Sequence, residues 1–303
     1  MSLLRPLLNT YLRLTEKPHM QNASGPDALR RSLETKARLL FHRPMSMRLR
    51  RGALAGEDAL WATPRRGAEP QTTILYFHGG GFVFGSPQTH GAMAAALAKR
   101  VAARAVLPRY PLAPEHPFPA ALDHAIAAYR ECRAQGGPVI VGGDSAGGGL
   151  ALSLLAHLLI EGESTPDAVF AFSPLTDLTF SGASVRDNAK TDVVLPAERA
   201  TEMLQMYLNG ADATNPLAGP LFADFANAPP VWITAGDTEI LLDDSRRIVE
   251  RMRGQGVDVT YVEEHDLPHV WPLFHNTLPE ARRTLNALAA WIRVQAGASA
   301  GTR

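Results

Sequence analysis

Residues 138–149 read PVIVGGDSAGGG, and how this stretch must bend decides the fold. PVIVG (138–142) is a compact apolar run of the kind that fills a strand buried on both faces. Gly143, Ser145 and Gly147 follow in a G-x-S-x-G pattern, and residues 146–161 then read as a helix. A serine held on so sharp a turn projects its Oγ above the sheet edge, where larger neighbours than glycine would crowd it. The new helix aims its N-terminus at the place where negative charge would develop. In isolation the pattern also fits a purely structural turn; the strand–turn–helix setting favours a nucleophilic Ser145. A phosphate loop is excluded because the G-x-x-x-x-G-K-[ST] spacing is absent. A dinucleotide loop would need glycine where Asp144 stands.

Outward from this turn, strands and helices alternate. Apolar runs at 73–77, 105–109, 138–142, 168–174, 230–236 and 257–263 predict strands. The segments 89–104, 119–134, 146–161, 242–253 and 279–295 predict helices. This rhythm implies a mostly parallel sheet covered on both sides. Two short strands around the turn from Gly52 to Gly56 precede it, and residues 1–45 read as helical with a break at Gly25-Pro26. Residues 175–229 depart from the rhythm: polar, Pro-rich loops surround a single amphipathic helix at 196–208.

The strand TILYF (73–77) ends in His78-Gly79-Gly80-Gly81-Phe82. Three successive glycines are costly in chain entropy unless the backbone must approach something closely. Donation of N–H groups to a tetrahedral oxyanion is such a need, and the expected donors are the backbone N–H groups of Gly80, Gly81 and Ala146. His78 suits a side chain that holds this loop in place. A serine nucleophile requires a histidine base, and that base requires a carboxylate on its other nitrogen. In the strand–turn–helix arrangement the chain order is serine, acid, histidine. His269, in DLPHVWPLF, is the expected base, ahead of His265 and His275. The acid belongs in the loop after PVWITAG, where Asp237, Glu239, Asp243 and Asp244 compete. Asp243 and Asp244 have an ordinary use in the first turn of the next helix; between Asp237 and Glu239 the residues alone do not choose.

Taken together, HGGGF, YPLAPEHPFPAALDH (110–124), GDSAGG, the late acidic loop and PHVW (268–271) resemble the bacterial members of the hormone-sensitive-lipase family of α/β-hydrolases. The resemblance runs from about residue 45 to residue 295. It implies an α/β-hydrolase fold with a helical cap: residues 1–45 and 178–220 as the two parts of the cap, and 46–177 with 221–303 as the catalytic core. It implies Glu239 over Asp237 as the acid, because Glu239 falls where the family has the first aspartate of a D-P-L-x-D motif. Asp144, Glu115 and Asp123 resemble the family's structural polar residues. The activity implied is carboxylic ester hydrolysis through an acyl-enzyme, on small esters of short to medium acyl chain; the alternatives are amide or lactone hydrolysis by the same mechanism, or a non-catalytic small-molecule binding protein on the same fold. Phe82, Leu204, Tyr207, Leu208, Leu217 and Trp271 are the candidate pocket residues. A dimer through the last strand and helix, found in many relatives, is a further implication.

Bulk properties agree with a catalyst of small molecules. The formal net charge is zero, with 30 basic and 30 acidic residues, so no electrostatic attraction to nucleic acid is expected. Cys132 is the only cysteine, which excludes an intramolecular disulfide and a thiolate metal cluster. No cofactor and no metal is expected, and the histidine spacing suggests none. No apolar run reaches the length of a signal peptide or a membrane span, so a cytoplasmic chain without stable membrane insertion is expected. Leu3, Leu4, Leu7, Leu8, Tyr11 and Leu12 recur at helical spacing, a stripe that suits a membrane surface, an active-site cover or, as the default expectation, packing onto the protein.

Overall fold

A computed structural model describes residues 2–301. In chain order the elements are α1 (Leu4–Asn22), α2 (Pro26–Leu40), β1 (Met47–Leu54), β2 (Glu57–Pro64), β3 (Thr73–Phe77), α3 (Pro87–Val101), β4 (Arg104–Pro108), α4 (Ala120–Ala134), β5 (Val139–Asp144), α5 (Ala146–Ile160), β6 (Ala168–Phe172), α6 (Ser184–Asp187), α7 (Ala197–Leu208), β7 (Val231–Gly236), α8 (Leu242–Gly254), β8 (Val259–Glu264) and α9 (Pro279–Gly301). The strands form one sheet in the order β1-β2-β4-β3-β5-β6-β7-β8. β1 pairs with β2, and β2 with β4, antiparallel; every later pair is parallel. The mostly parallel, helix-covered sheet expected from the alternation is the one observed.

The sheet divides two cores because successive side chains on a strand point to opposite faces. On β3, Leu75 and Phe77 enter the core shared with α4, α5 and α8, whereas Ile74 and Tyr76 enter the core shared with α3 and α9. Both faces are therefore apolar, which is why TILYF and PVIVG read as unbroken hydrophobic runs. α3 starts two residues earlier than its apolar pattern suggests. Ser86 caps it, accepting from the N–H groups of Gln88 and Thr89, and Pro87 occupies the first turn.

The winding places the site. From β3 the chain moves outward to β4 and then crosses back to β5 on the other side of β3. At such a reversal the connections leave neighbouring strands in opposite directions, and a crevice opens beyond their C-terminal ends. The triple-glycine loop leaves β3 there, and Ser145 leaves β5.

α1 corrects one expectation. Leu12 is buried and Leu8 packs on Leu267, Trp271 and Leu278, but Leu3, Leu4, Leu7 and Tyr11 are exposed. The helix is seated largely by hydrogen bonds rather than by its leucine stripe, as Arg5, Asn9, Arg13 and Lys17 each donate to loop carbonyls. No helix among the described residues is long and apolar enough to cross a membrane. Cys132 is buried in α4, and burial pushes its thiol up to about 12, far from a reactive thiolate.

Candidate active site

Ser145 sits between β5 and α5 with φ of 53° and ψ of −124°, a backbone conformation that L-residues avoid. The surroundings hold it there. Its N–H donates to the Phe172 carbonyl at 2.8 Å, and its own carbonyl accepts from the N–H groups of Gly149 at 2.9 Å and Leu175 at 3.0 Å. The glycines of the motif are demanded by close approach. A Cβ on Gly147 would lie 2.2 Å from the Phe77 carbonyl oxygen and 2.4 Å from that of His78. α5 is thereby pressed against the end of β3, which brings the serine turn next to the triple-glycine loop.

That loop adopts left-handed backbone at Gly80 (φ 124°) and Gly81 (φ 58°), and a Cβ on Gly80 would lie 2.2 Å from the Phe84 carbonyl oxygen. Polar side chains brace it from behind. His78 Nδ1 lies 2.8 Å from the Gly79 carbonyl, the Tyr110 hydroxyl donates to the His78 carbonyl at 2.7 Å, and the two rings stack at 4.4 Å. Burial, with help from nearby His90, lowers the His78 imidazole to about 3, so it stays neutral at physiological pH. Asp144 accepts from the Tyr76 hydroxyl at 2.6 Å and faces His90 Nε2 at 3.3 Å. Burial favours its neutral form, but these partners outweigh burial and hold the carboxyl below its ordinary range. Asp144 and His78 are thus occupied in bracing the turn and the loop. Arg30 of α2 ties the loops together from outside: it donates to the carbonyls of Val83 (2.8 Å) and Ala113 (2.9 Å) and pairs with Glu115 at 2.7 Å.

His269 lies in the loop after β8, and its Nδ1 is 2.5 Å from Glu239 Oε2. The carboxylate can only accept, so Nδ1 carries the hydrogen and Nε2 carries the lone pair. Nε2 is buried and has no hydrogen-bond partner among the described residues; it shares one cavity with Ser145 and Gly79–Gly81. Glu239 is itself fixed, as Oε1 accepts from the Gly236 N–H at 2.5 Å and the Ser173 hydroxyl at 2.8 Å. Burial opposes a charge on His269, but the carboxylates of Glu239, then Asp192 and Asp144, outweigh it and hold the imidazole above its ordinary value. Asp237 turns elsewhere: its carboxylate meets exposed His265 at 2.6 Å and the Asp266 N–H at 2.8 Å. Asp244 lies in the first turn of α8, but it is buried and accepts from the N–H groups of Thr176 and Asp177.

The cavity has a volume of about 190 Å³. Its walls come from α1, α2, α7 and the loops around Ser145 and His269, with Leu12, Leu29, Met203, Leu204 and Val270 among them. Of the six pocket candidates only Leu204 lines it, and the other five are corrected. Phe82 and Tyr207 stack face to face at 3.7 Å and pin the glycine loop to α7. Leu208 and Leu217 pack against the main core. Trp271 is wholly buried, and its Nε1–H donates to Thr284 of α9 at 3.0 Å. These five fasten the walls from behind, whereas Phe41, Phe84, Phe180 and Phe274 are among the rings that line the cavity. Ser173, Asn188, Asp192 and Arg30 escaped the sequence reading, because each reaches its partner only through folding and none belongs to a periodic pattern.

A family model described as alpha/beta hydrolase fold matches residues 74–273. An acetyl-hydrolase of Streptomyces hygroscopicus is 38% identical over 242 residues, spanning 79% of this chain and 80% of the relative. An esterase of Acinetobacter venetianus is 33% identical over 286 residues, 92% of this chain and 93% of the relative. The crystal structure of an esterase from the bacterial hormone-sensitive lipase family superposes with a TM-score of 0.91 at 34% identity, covering 98% of this chain and 99% of that one. The chain therefore belongs to the α/β-hydrolase fold family and, within it, to the bacterial hormone-sensitive-lipase group of carboxylic ester hydrolases.

Proposed function

We propose that the protein hydrolyses small esters of short to medium acyl chain through an acyl-enzyme on Ser145, with His269 as base and Glu239 as the carboxylate that orients it. One observation carries the reading: His269 gives Nδ1 to Glu239 and leaves Nε2 bare in the cavity that holds the strained Ser145. Nε2 takes the Ser145 proton as Oγ attacks the ester carbonyl carbon. The resulting oxyanion accepts from the backbone N–H groups of Gly80, Gly81 and Ala146, which form no hydrogen bond with a protein acceptor among the described residues. The imidazolium, stabilised by Glu239, then protonates the departing alkoxide as the carbon–oxygen bond breaks. Water enters, loses a proton to Nε2 and attacks the acyl carbon. Ser145 leaves with that proton, and the carboxylic acid is released.

Residues 1–45 and 178–220 act in this reading as a cap, since α1, α2 and α7 all contribute to the cavity wall. A cavity of about 190 Å³ suits short acyl groups, and an acetyl-hydrolase stands among the relatives. The test is hydrolysis of p-nitrophenyl esters from acetate to palmitate by wild type and Ser145→Ala. Turnover that peaks at a short chain and disappears in the variant is expected. A burst of p-nitrophenol from Ser145→Ala would overturn the assignment of the nucleophile.

A further inference from the structure

The polar stripe of α1 leads to the acid loop through a short segment of chain. Lys17 Nζ donates to the carbonyls of Ala189 at 2.6 Å and Asp192 at 2.7 Å, closing the 189–192 loop. That loop presents two side chains to the turn that carries Glu239. The single Nδ2 of Asn188 donates to the carbonyls of both Asp237 (3.0 Å) and Glu239 (2.9 Å). Facing two acceptors, this atom must be the amide nitrogen. Asp192 is buried; its Oδ2 accepts from the Ile240 N–H at 2.9 Å, and its Oδ1 from the N–H groups of Val194 and Leu195, both at 2.8 Å. The backbone on both sides of Glu239 is thus held by side chains from outside its own loop. Asp237, Glu239 and Ile240 are contacted by the segment after α6, and that segment is clamped in turn by α1.

We propose that Asn188 is a positioning residue for ester hydrolysis, with Lys17 as its clamp: together they fix the 237–240 turn so that the Glu239 carboxylate meets His269 Nδ1. The inference rests on the Ser145–His269–Glu239 reading above. The physical reason is leverage. Glu239 has three side-chain torsions, and a shift of its backbone by a fraction of an ångström is felt at the carboxylate. A catalytic group displaced by about 1 Å can lose about 100-fold in rate.

The test compares Asn188→Ala, Lys17→Met and Lys17→Arg with wild type by steady-state kinetics on p-nitrophenyl acetate, thermal unfolding, and proton NMR of the low-field His269 Nδ1–H. Asn188→Ala and Lys17→Met are expected to lower kcat about tenfold or more while KM changes little, because neither side chain lines the cavity. Both are expected to broaden or shift the Nδ1–H resonance. Lys17→Arg, which keeps donors for the two carbonyls, is expected to restore kcat. Folded Asn188→Ala with wild-type kcat and an unmoved resonance would overturn the proposal, as would a lowered melting temperature alone. Should Asn188→Ala fail to fold, the Met and Arg variants at Lys17 decide it by the same readouts. Full activity in Ser145→Ala would instead remove the catalytic reading, and the resonance would still report whether Asn188 and Lys17 hold Glu239 on His269.

Discussion

Replacing Glu239 with Gln removes one negative charge and almost no volume. The glutamine carbonyl can keep the Gly236 N–H and the Ser173 hydroxyl that Oε1 accepts now. Its NH₂ is then left facing His269 Nδ1 at the 2.5 Å separation of the native contact. Two N–H groups cannot bond one another, so the imidazole adopts the tautomer with Nδ1 bare and the hydrogen on Nε2. In that tautomer Nε2 cannot accept the Ser145 proton. The charge that stabilises the imidazolium is lost as well. A corresponding acid-to-amide exchange in a Ser-His-Asp triad lowers kcat about 10⁴-fold, equivalent to ~5 kcal/mol in the barrier. A loss of this order is expected for Glu239→Gln in stopped-flow measurements with p-nitrophenyl acetate, with the fold checked by circular dichroism. Glu239→Asp keeps the charge but shortens the reach by a methylene, and a smaller loss, about 10- to 100-fold, is expected. Asp237→Asn serves as the control and should stay near wild type, because Asp237 bonds His265 rather than His269. A Glu239→Gln enzyme within tenfold of wild-type kcat would refute the reasoning.

The acid limb of kcat/KM should titrate above the ordinary histidine value of 6.5, since Glu239, Asp192 and Asp144 together outweigh the burial of His269. Activity is lost as pH falls through that point, because a protonated imidazole cannot accept the serine proton; a midpoint below 6.5 would contradict the balance described. Gly147→Ala should destabilise the protein by about 3 kcal/mol or more in urea unfolding, because its Cβ would press on two carbonyl oxygens at 2.2 and 2.4 Å. Little change in the unfolding midpoint would mean that α5 is free to move off β3. Arg30→Ala should cost about 1–3 kcal/mol, since it strips charged donors from two loop carbonyls and from Glu115. Arg30→Lys should recover only part of that loss, lacking the planar fork, and an unchanged midpoint in both variants would show the clamp to be idle.

Local patterns were enough to read the parallel sheet, the turn at Ser145 and the glycine loop after β3. These features rest on short-range physics: strand alternation, the entropy of glycine, and a helix that begins where a serine must be exposed. His269, which meets the acid loop in the fold, was one of few candidates that chain order left, and apolar residues follow it. Whether Asp237 or Glu239 faces the imidazole was not legible from the residues alone, because the two lie two positions apart on one turn; only the family resemblance favoured Glu239. Their side chains part company only when Gly236 and Ser173 gather the Glu239 carboxylate and the Asp266 N–H draws Asp237 outward. The pocket wall was misread for a related reason. An aromatic ring or leucine beside the site looks the same in sequence whether it meets a ligand or, like Phe82 on Tyr207, another side chain. Only packing distinguishes the two, because the choice depends on partners far away in the chain. The hold that Lys17, Asn188 and Asp192 keep on the acid turn has the same origin: it consists of hydrogen bonds between segments up to 175 residues apart, which no local pattern encodes.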